Sequence, residues 1–163
     1  MIRKVLTAAA VVLAVGAVLI QLVPYRVHNP APTQPVVWDS PETEALARRA
    51  CYDCHSNEVV VPWYGYVAPV AWIVRRQVDE ARAAMNLSEM DRPQEEAHEA
   101  GEVVTEGEMP PNYYLRLHPE ARLTDAERRA LAAGLDATLG GEGDGSAGAG
   151  RLGAADEDED DDS

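Results

Sequence analysis

Five consecutive residues hold the densest chemistry in the chain: Cys51-Tyr52-Asp53-Cys54-His55. Two thiols stand three positions apart, an imidazole follows at once, and the protein has no other cysteine. Four chemistries use such a set. A dithiol redox pair needs a strand–helix–strand setting and gives His55 no role. A structural zinc ion wants four ligands, so a remote His98 or His118 would have to complete the site. A disulfide between neighbouring turns of one helix closes too short a loop to gain much entropy. Covalent haem attachment uses every member: each thiol adds to one vinyl group, and the adjacent imidazole comes beneath the iron as an axial ligand through Nε2. The spacing therefore predicts one c-type haem on Cys51 and Cys54, with His55 as proximal ligand.

An iron centre that carries electrons takes a second axial ligand. The candidates are Met85, Met90, Met109, His98 and His118. Met85 continues the apolar stripe of a helix and reads as core, Met90 follows a turn, and His118 precedes a proline as in a surface turn. Met109 has the most suitable setting. It lies in Gly107-Glu-Met-Pro-Pro111, a loop stiffened by two prolines, which limits the entropy lost in presenting sulfur to iron. Thioether ligation favours ferrous iron and raises the potential.

The elements that must position these groups can be read from charge and apolar patterning. The chain has 163 residues and a formal charge of −14, so phosphate neutralisation has no source and a nucleic-acid partner is excluded. Residues 1–30, 31–140 and 141–163 carry net charges of +3, −9 and −8. The first segment contains nineteen uncharged residues, Val5 to Val23, which as a helix span about 28 Å, close to the hydrocarbon thickness of a bilayer. Arg3 and Lys4 precede it, which predicts a cytoplasmic N-terminus and an exported domain. A signal peptide would have a shorter apolar run, so residues 1–23 are expected to remain as a single-pass anchor contacting the membrane through residues 5–23. Five prolines between residues 24 and 41 predict a semi-rigid spacer over 24–37, able to lift the domain on the order of 50 Å from the surface. Residues 140–163, rich in Gly and then in Asp and Glu, are expected to be a disordered acidic tail.

Residues 38–139 read as an all-α domain. Ser40-Pro41 starts a helix that should run to the cysteines. Val70, Val74, Val78, Ala81 and Met85 mark a second helix. A more polar third covers about 93–106, with Ala97, Ala100 and Val104 inward, and Glu95, Glu96, Glu99 and Glu102 on its solvated face. Thr124-Asp-Ala-Glu127 is a capping box for a last helix carrying Leu131, Leu135 and Leu139. With no Phe in the sequence, the core looks underfilled, and a large apolar cofactor would complete it. Trp63, Tyr64, Tyr66, Trp72, Tyr113 and Tyr114 are candidates for its walls.

The blocks CYDCHSN, VPWYGYVAPVAWIV, RRQVDEARAAMNLSEM and GEMPPNYYLRLHPEARLTDAERRAL occur in an order that resembles the small haem-binding domain family of exported, single-haem c-type cytochromes, over about residues 38–138. The resemblance implies a compact cytochrome c-like fold around one covalent haem, with Met109 as distal ligand. Ala81 and Met90 depart from the family pattern, which tends to have Gly and Trp there. The function expected is that of a membrane-anchored monohaem cytochrome passing single electrons to extracytoplasmic redox partner proteins, which the acidic surface suggests are basic, with no substrate transformed. Two alternatives stand beside it: a peroxidase or gas sensor with a distal site that opens, and an interaction module that haem stabilises.

Overall fold

The computed structural model describes residues 1–140, so the acidic tail read over 140–163 lies outside them apart from Gly140. The fold is all-helical: the described residues form seven α-helices with short 3-10 turns between them and no strand beyond one parallel bridge between Gln34 and Glu89. Helix α1, Ile2–Leu19, continues as a 3-10 turn through Leu22. None of its residues is buried, and its length and composition suit a membrane span or a signal sequence.

Helix α2, Pro41–Ala50, begins as its sequence dictates: the Ser40 hydroxyl accepts the Thr43 N–H at 3.1 Å and Pro41 takes the first turn. It ends at Ala50, four residues before the second cysteine, rather than running through the motif. Cys51 departs from helical geometry at φ −117°, and α3, Tyr52–His55, is a separate single turn. Tertiary bonds draw that turn aside. The His55 carbonyl accepts the Leu87 N–H at 2.8 Å, and the Ser56 carbonyl accepts Arg82 Nε at 2.8 Å.

Helix α4, Val70–Ala84, forms where its pattern predicts, but only part of the expected stripe turns inward. Val78 is buried, Val74 and Ala81 are half-buried, Val70 is exposed because the helix buries Ala71 instead, and Met85 leaves the helix in extended geometry. The third helix is shorter than its pattern suggests: a 3-10 turn, Ala97–Glu99, leads into α5, Ala100–Glu106. The Gln94 side chain holds the preceding residues as a loop instead, accepting the Asn86 N–H at 2.7 Å and donating to the Glu89 carbonyl at 2.8 Å. Ala97, Ala100 and Val104 are buried as their spacing predicts. Helix α6, Asn112–Leu117, was not legible in the sequence. Helix α7, Asp125–Leu139, carries the complete Thr124–Glu127 capping box and buries Leu131, Leu135 and Leu139.

The core forms where α2, α5 and α7 meet, around Leu46, Ala47, Val104, Leu131 and Leu135. Two glycines permit that closeness. A side chain at Gly101 would meet Asp136 and lie 2.9 Å from the Ala132 carbonyl, and one at Gly134 would strike Thr43.

Residues 24–39 are the main departure from expectation. They run largely without regular structure, yet they lie along the domain instead of holding it away. Arg82 donates to the His28 carbonyl at 2.7 Å; Asn29 donates to the Val59 carbonyl at 2.9 Å and accepts its N–H at 3.3 Å. Further on, Thr33 and Gln34 donate to Ser88, and Val36 to Leu87. The prolines leave enough free amides in this stretch to pair with the 87–90 loop, so the reach of about 50 Å that polyproline geometry would allow is not used.

Candidate haem site

Cys51, Cys54, His55 and Met109 line one cavity of about 390 Å³. Four elements build it. The α2–α3 junction brings the thiols and the imidazole; α4 contributes Ala81 and Ala84; α5 contributes Ala100, Val103 and Val104; α7 closes the floor with Leu131 and Leu135. Pro110, Pro111, Tyr113 and Tyr114 form the wall beside Met109. The small side chains on α4 and α5 leave the volume open, and the lining is mostly apolar, as a porphyrin requires.

Both thiols are free. Burial pushes Cys51 up to about 12, with the neighbouring Cys54 adding to it; Cys54 rises to about 11, again by burial first and then by the Asp53 charge. Both are therefore protonated near neutral pH. Disulfide exchange works through thiolates, which this environment disfavours. Among the described residues no group of three or more His, Cys, Asp or Glu side chains is placed to hold a metal ion such as zinc; His98 is exposed beside Glu99, and neither His98 nor His118 reaches the cavity.

His55 is held at both ends. Its carbonyl is fixed by Leu87, and ring Nδ1 lies 3.1 Å from the Met85 carbonyl. Donation by Nδ1–H to that carbonyl leaves Nε2 with its lone pair, the tautomer an axial ligand needs. Burial lowers the imidazole pKa, with the Met85 carbonyl working against it, so the ring is neutral and ready to ligate. A buried polar network stands behind it. Asn57 N–H donates to Ser88 Oγ at 2.9 Å, Asn86 Nδ2 donates to Asn57 Oδ1 at 3.0 Å, and Asn57 Nδ2 donates to Glu89 at 2.7 Å.

Met109 reaches the cavity through a tight reversal. Gly107 ends α5 in the left-handed region at φ +80°, and the Val103 carbonyl then accepts both the Glu108 N–H at 3.0 Å and the Met109 N–H at 3.2 Å. The side chain is 40% exposed and borders a second cavity of about 490 Å³, whose walls include Arg116, Arg122 and Arg128. Met85 also lines the haem cavity, but it is buried in the core cluster and its carbonyl stands on the Nδ1 side of His55. Met90 packs on the core outside the cavity.

Residues outside the motif surround the site in ways that sequence spacing does not show. Tyr114 donates to Asp53, between the two cysteines, at 2.8 Å, and its ring stacks on His118 at 4.2 Å. His118 is no simple surface turn: Nε2 is 2.8 Å from the Tyr64 hydroxyl and Nδ1 is 3.1 Å from Glu120. Of the aromatic candidates, Tyr113 and Tyr114 line the cavity, whereas Trp63 is 79% exposed. The three arginines were missed because their spacing follows no helical period. The available signal was compositional and slight: residues 116–129 hold four arginines against three acidic side chains in an otherwise acidic domain. Glu96 and Glu99 occupy the exposed rim.

A profile described as a haem-binding domain matches residues 15–137. The chain belongs to the haem-binding domain family. The match covers the cavity and everything that positions it, and a haem cofactor follows from it. No curated protein and no solved structure matches the chain.

Proposed function

We propose that this haem-binding domain protein is a membrane-anchored, monohaem c-type cytochrome that passes single electrons on the extracytoplasmic side. One observation carries the reading: the two thiols of the motif, its imidazole and the loop thioether of Met109 face a single cavity with apolar walls. Cys51 and Cys54 would hold the haem through thioether bonds, His55 through Nε2, and Met109 through its sulfur. When bound, the haem supplies a one-electron iron couple. Each residue then has a definable task. The Met85 carbonyl orients His55 and raises its basicity as a ligand. Leu131, Leu135 and Val104 would exclude water, and Arg116, Arg122 and Arg128, which line the adjoining cavity that Met109 shares, would be available to the propionate carboxylates. Arg3 and Lys4, in the first turn of α1 ahead of its apolar run, support a cytoplasmic N-terminus with the haem domain exported, where such attachment takes place. The acidic domain suits basic redox partner proteins.

The test is a pyridine haemochrome spectrum and a haem-stained denaturing gel on protein matured with the cytochrome assembly machinery. Pigment should survive denaturation, and Cys51→Ser with Cys54→Ser should abolish it; pigment that extracts into acid–acetone overturns covalent attachment. The exposure of Met109 at the junction of two cavities favours a second reading, a peroxidase or gas sensor whose distal site opens. Reduced wild type should bind carbon monoxide slowly and Met109→Ala quickly. Fast binding by both would favour the sensor.

A further inference from the structure

Residues 59–74 form an uninterrupted run of sixteen uncharged residues in a chain of charge −14. Across residues 38–140 nine large apolar side chains are exposed, and five of them fall between 63 and 73: Trp63 at 79%, Tyr66, Val67, Val70 and Ile73. The haem cavity explains Met109 and Tyr113, but it explains none of these five. A patch of this kind on an otherwise acidic domain marks a contact surface.

The occupant is indicated by what lies beside it. Gln21, in the last turn of the N-terminal apolar helix, donates through Nε2 to the Ala68 carbonyl at 3.1 Å and accepts the Ala68 N–H through Oε1 at 2.9 Å. Each of the five exposed residues is within five positions of Ala68. From Val5, past the charged Arg3 and Lys4, the α-helical and 3-10 residues to Leu22 span about 28 Å, against roughly 30 Å of bilayer hydrocarbon. Gln21 therefore sits near the end of the apolar span, and its two bonds hold Ala68, in the middle of the 63–73 segment, at that end. Trp and Tyr favour that depth because their rings are apolar with a polar handle. Beyond the run stand Arg75 and Arg76, with Arg75 Nη1 donating to the Arg26 carbonyl at 2.6 Å. Both also pair within their own helix, Arg75 with Asp79 at 2.6 Å and Arg76 with Glu80 at 2.7 Å, so the charged part of α4 begins where the apolar run ends.

We propose that Trp63, Tyr66, Val67, Val70 and Ile73 seat the haem domain on the outer leaflet beside the exit of α1, as a second membrane contact. The proposal rests on α1 being embedded in the bilayer. The ties from Arg82 to His28 and from Asn29 to Val59 hold the domain in this orientation.

Photo-crosslinking in native membranes tests it on the full-length haem-loaded chain. p-Benzoylphenylalanine replaces, one at a time, Trp63, Val67, Val12 within α1, and Ala133, exposed on α7. After illumination, phospholipid adducts are sought by mass spectrometry. Adducts at 12, 63 and 67 with none at 133 are expected. Lipid at 12 but none at 63 or 67, protein adducts in place of lipid at 63 and 67, or equal lipid labelling at 133, overturns the second contact while leaving the anchor intact. No lipid at 12 refutes the anchor and the proposal with it.

Discussion

Replacing Gly107 by alanine should loosen Met109 without touching iron, cavity or motif. Gly107 is at φ +80°, where an L side chain is unfavourable by roughly 1–2 kcal/mol. The steric part is smaller, because the added methyl would meet the Arg128 guanidinium at 2.7 Å and that group is the far end of a flexible side chain. The backbone term therefore dominates. It acts on the two bonds that the Val103 carbonyl accepts from Glu108 and Met109, which turn the loop back over the cavity. A shift of about 1–2 kcal/mol changes the ratio of closed to open loop by roughly five- to thirty-fold. If Met109 is the distal ligand as proposed, carbon monoxide binds reduced iron only while the thioether is away, so its observed binding rate, followed by stopped-flow absorbance, should rise by the same factor. Gly107→Asn should rise less, since asparagine tolerates the left-handed region. Wild-type binding rates in the alanine variant, alongside a lowered unfolding midpoint, would show that the turn stabilises the domain without positioning Met109, and would refute the reasoning.

Three further outcomes follow from the packing and the charges. Gly134→Ala should destabilise the domain by about 1–3 kcal/mol in chemical denaturation, because the methyl strikes the buried Thr43 at the α2–α7 contact. Leu135→Ala should cost about 2–5 kcal/mol in the same assay and enlarge the haem cavity, accelerating carbon monoxide binding in a Met109→Ala background. Glu127 is held down at about 2 by the Thr124 N–H first, then by Arg49 and the Thr124 hydroxyl. Its folded value lies below the unfolded 4.5, so its contribution is whole above pH 4.5 and disappears as pH falls through about 2. Glu127→Gln should flatten the acid limb of the stability profile between those values, and an unchanged limb would contradict the capping geometry.

How much of this was readable depended on the range of the interaction. Helices α2 and α7 start where their caps say, because Ser40-Pro41 and the Thr124–Glu127 box act within one turn. The inward face of α7 follows from periodicity, whereas that of α4 does so only at Val78, since Val70 is exposed and Ala71 is buried in its place. The motif and Met109 were legible as types and spacing, and they do meet at one cavity. What stayed hidden is set by distant partners. Cys51 breaks the helix because Leu87 and Arg82 hold the residues that follow it. Residues 24–39 dock because Arg82, Asn29 and the 87–90 loop offer bonds from elsewhere in the chain. Proline content predicts backbone shape, but it says nothing about what lies alongside.

The path from α1 to the motif is short and tied at each step: Gln21 to Ala68, His28 to Arg82, and Arg82 to the Ser56 carbonyl next to His55. With α1 in a bilayer, such a chain of ties would give the iron one fixed altitude and one fixed tilt. The protein would then be no fishing line cast between a donor and an acceptor. It would drift in the plane of the sheet, meeting integral partners by lateral search and leaving soluble ones to come down to it.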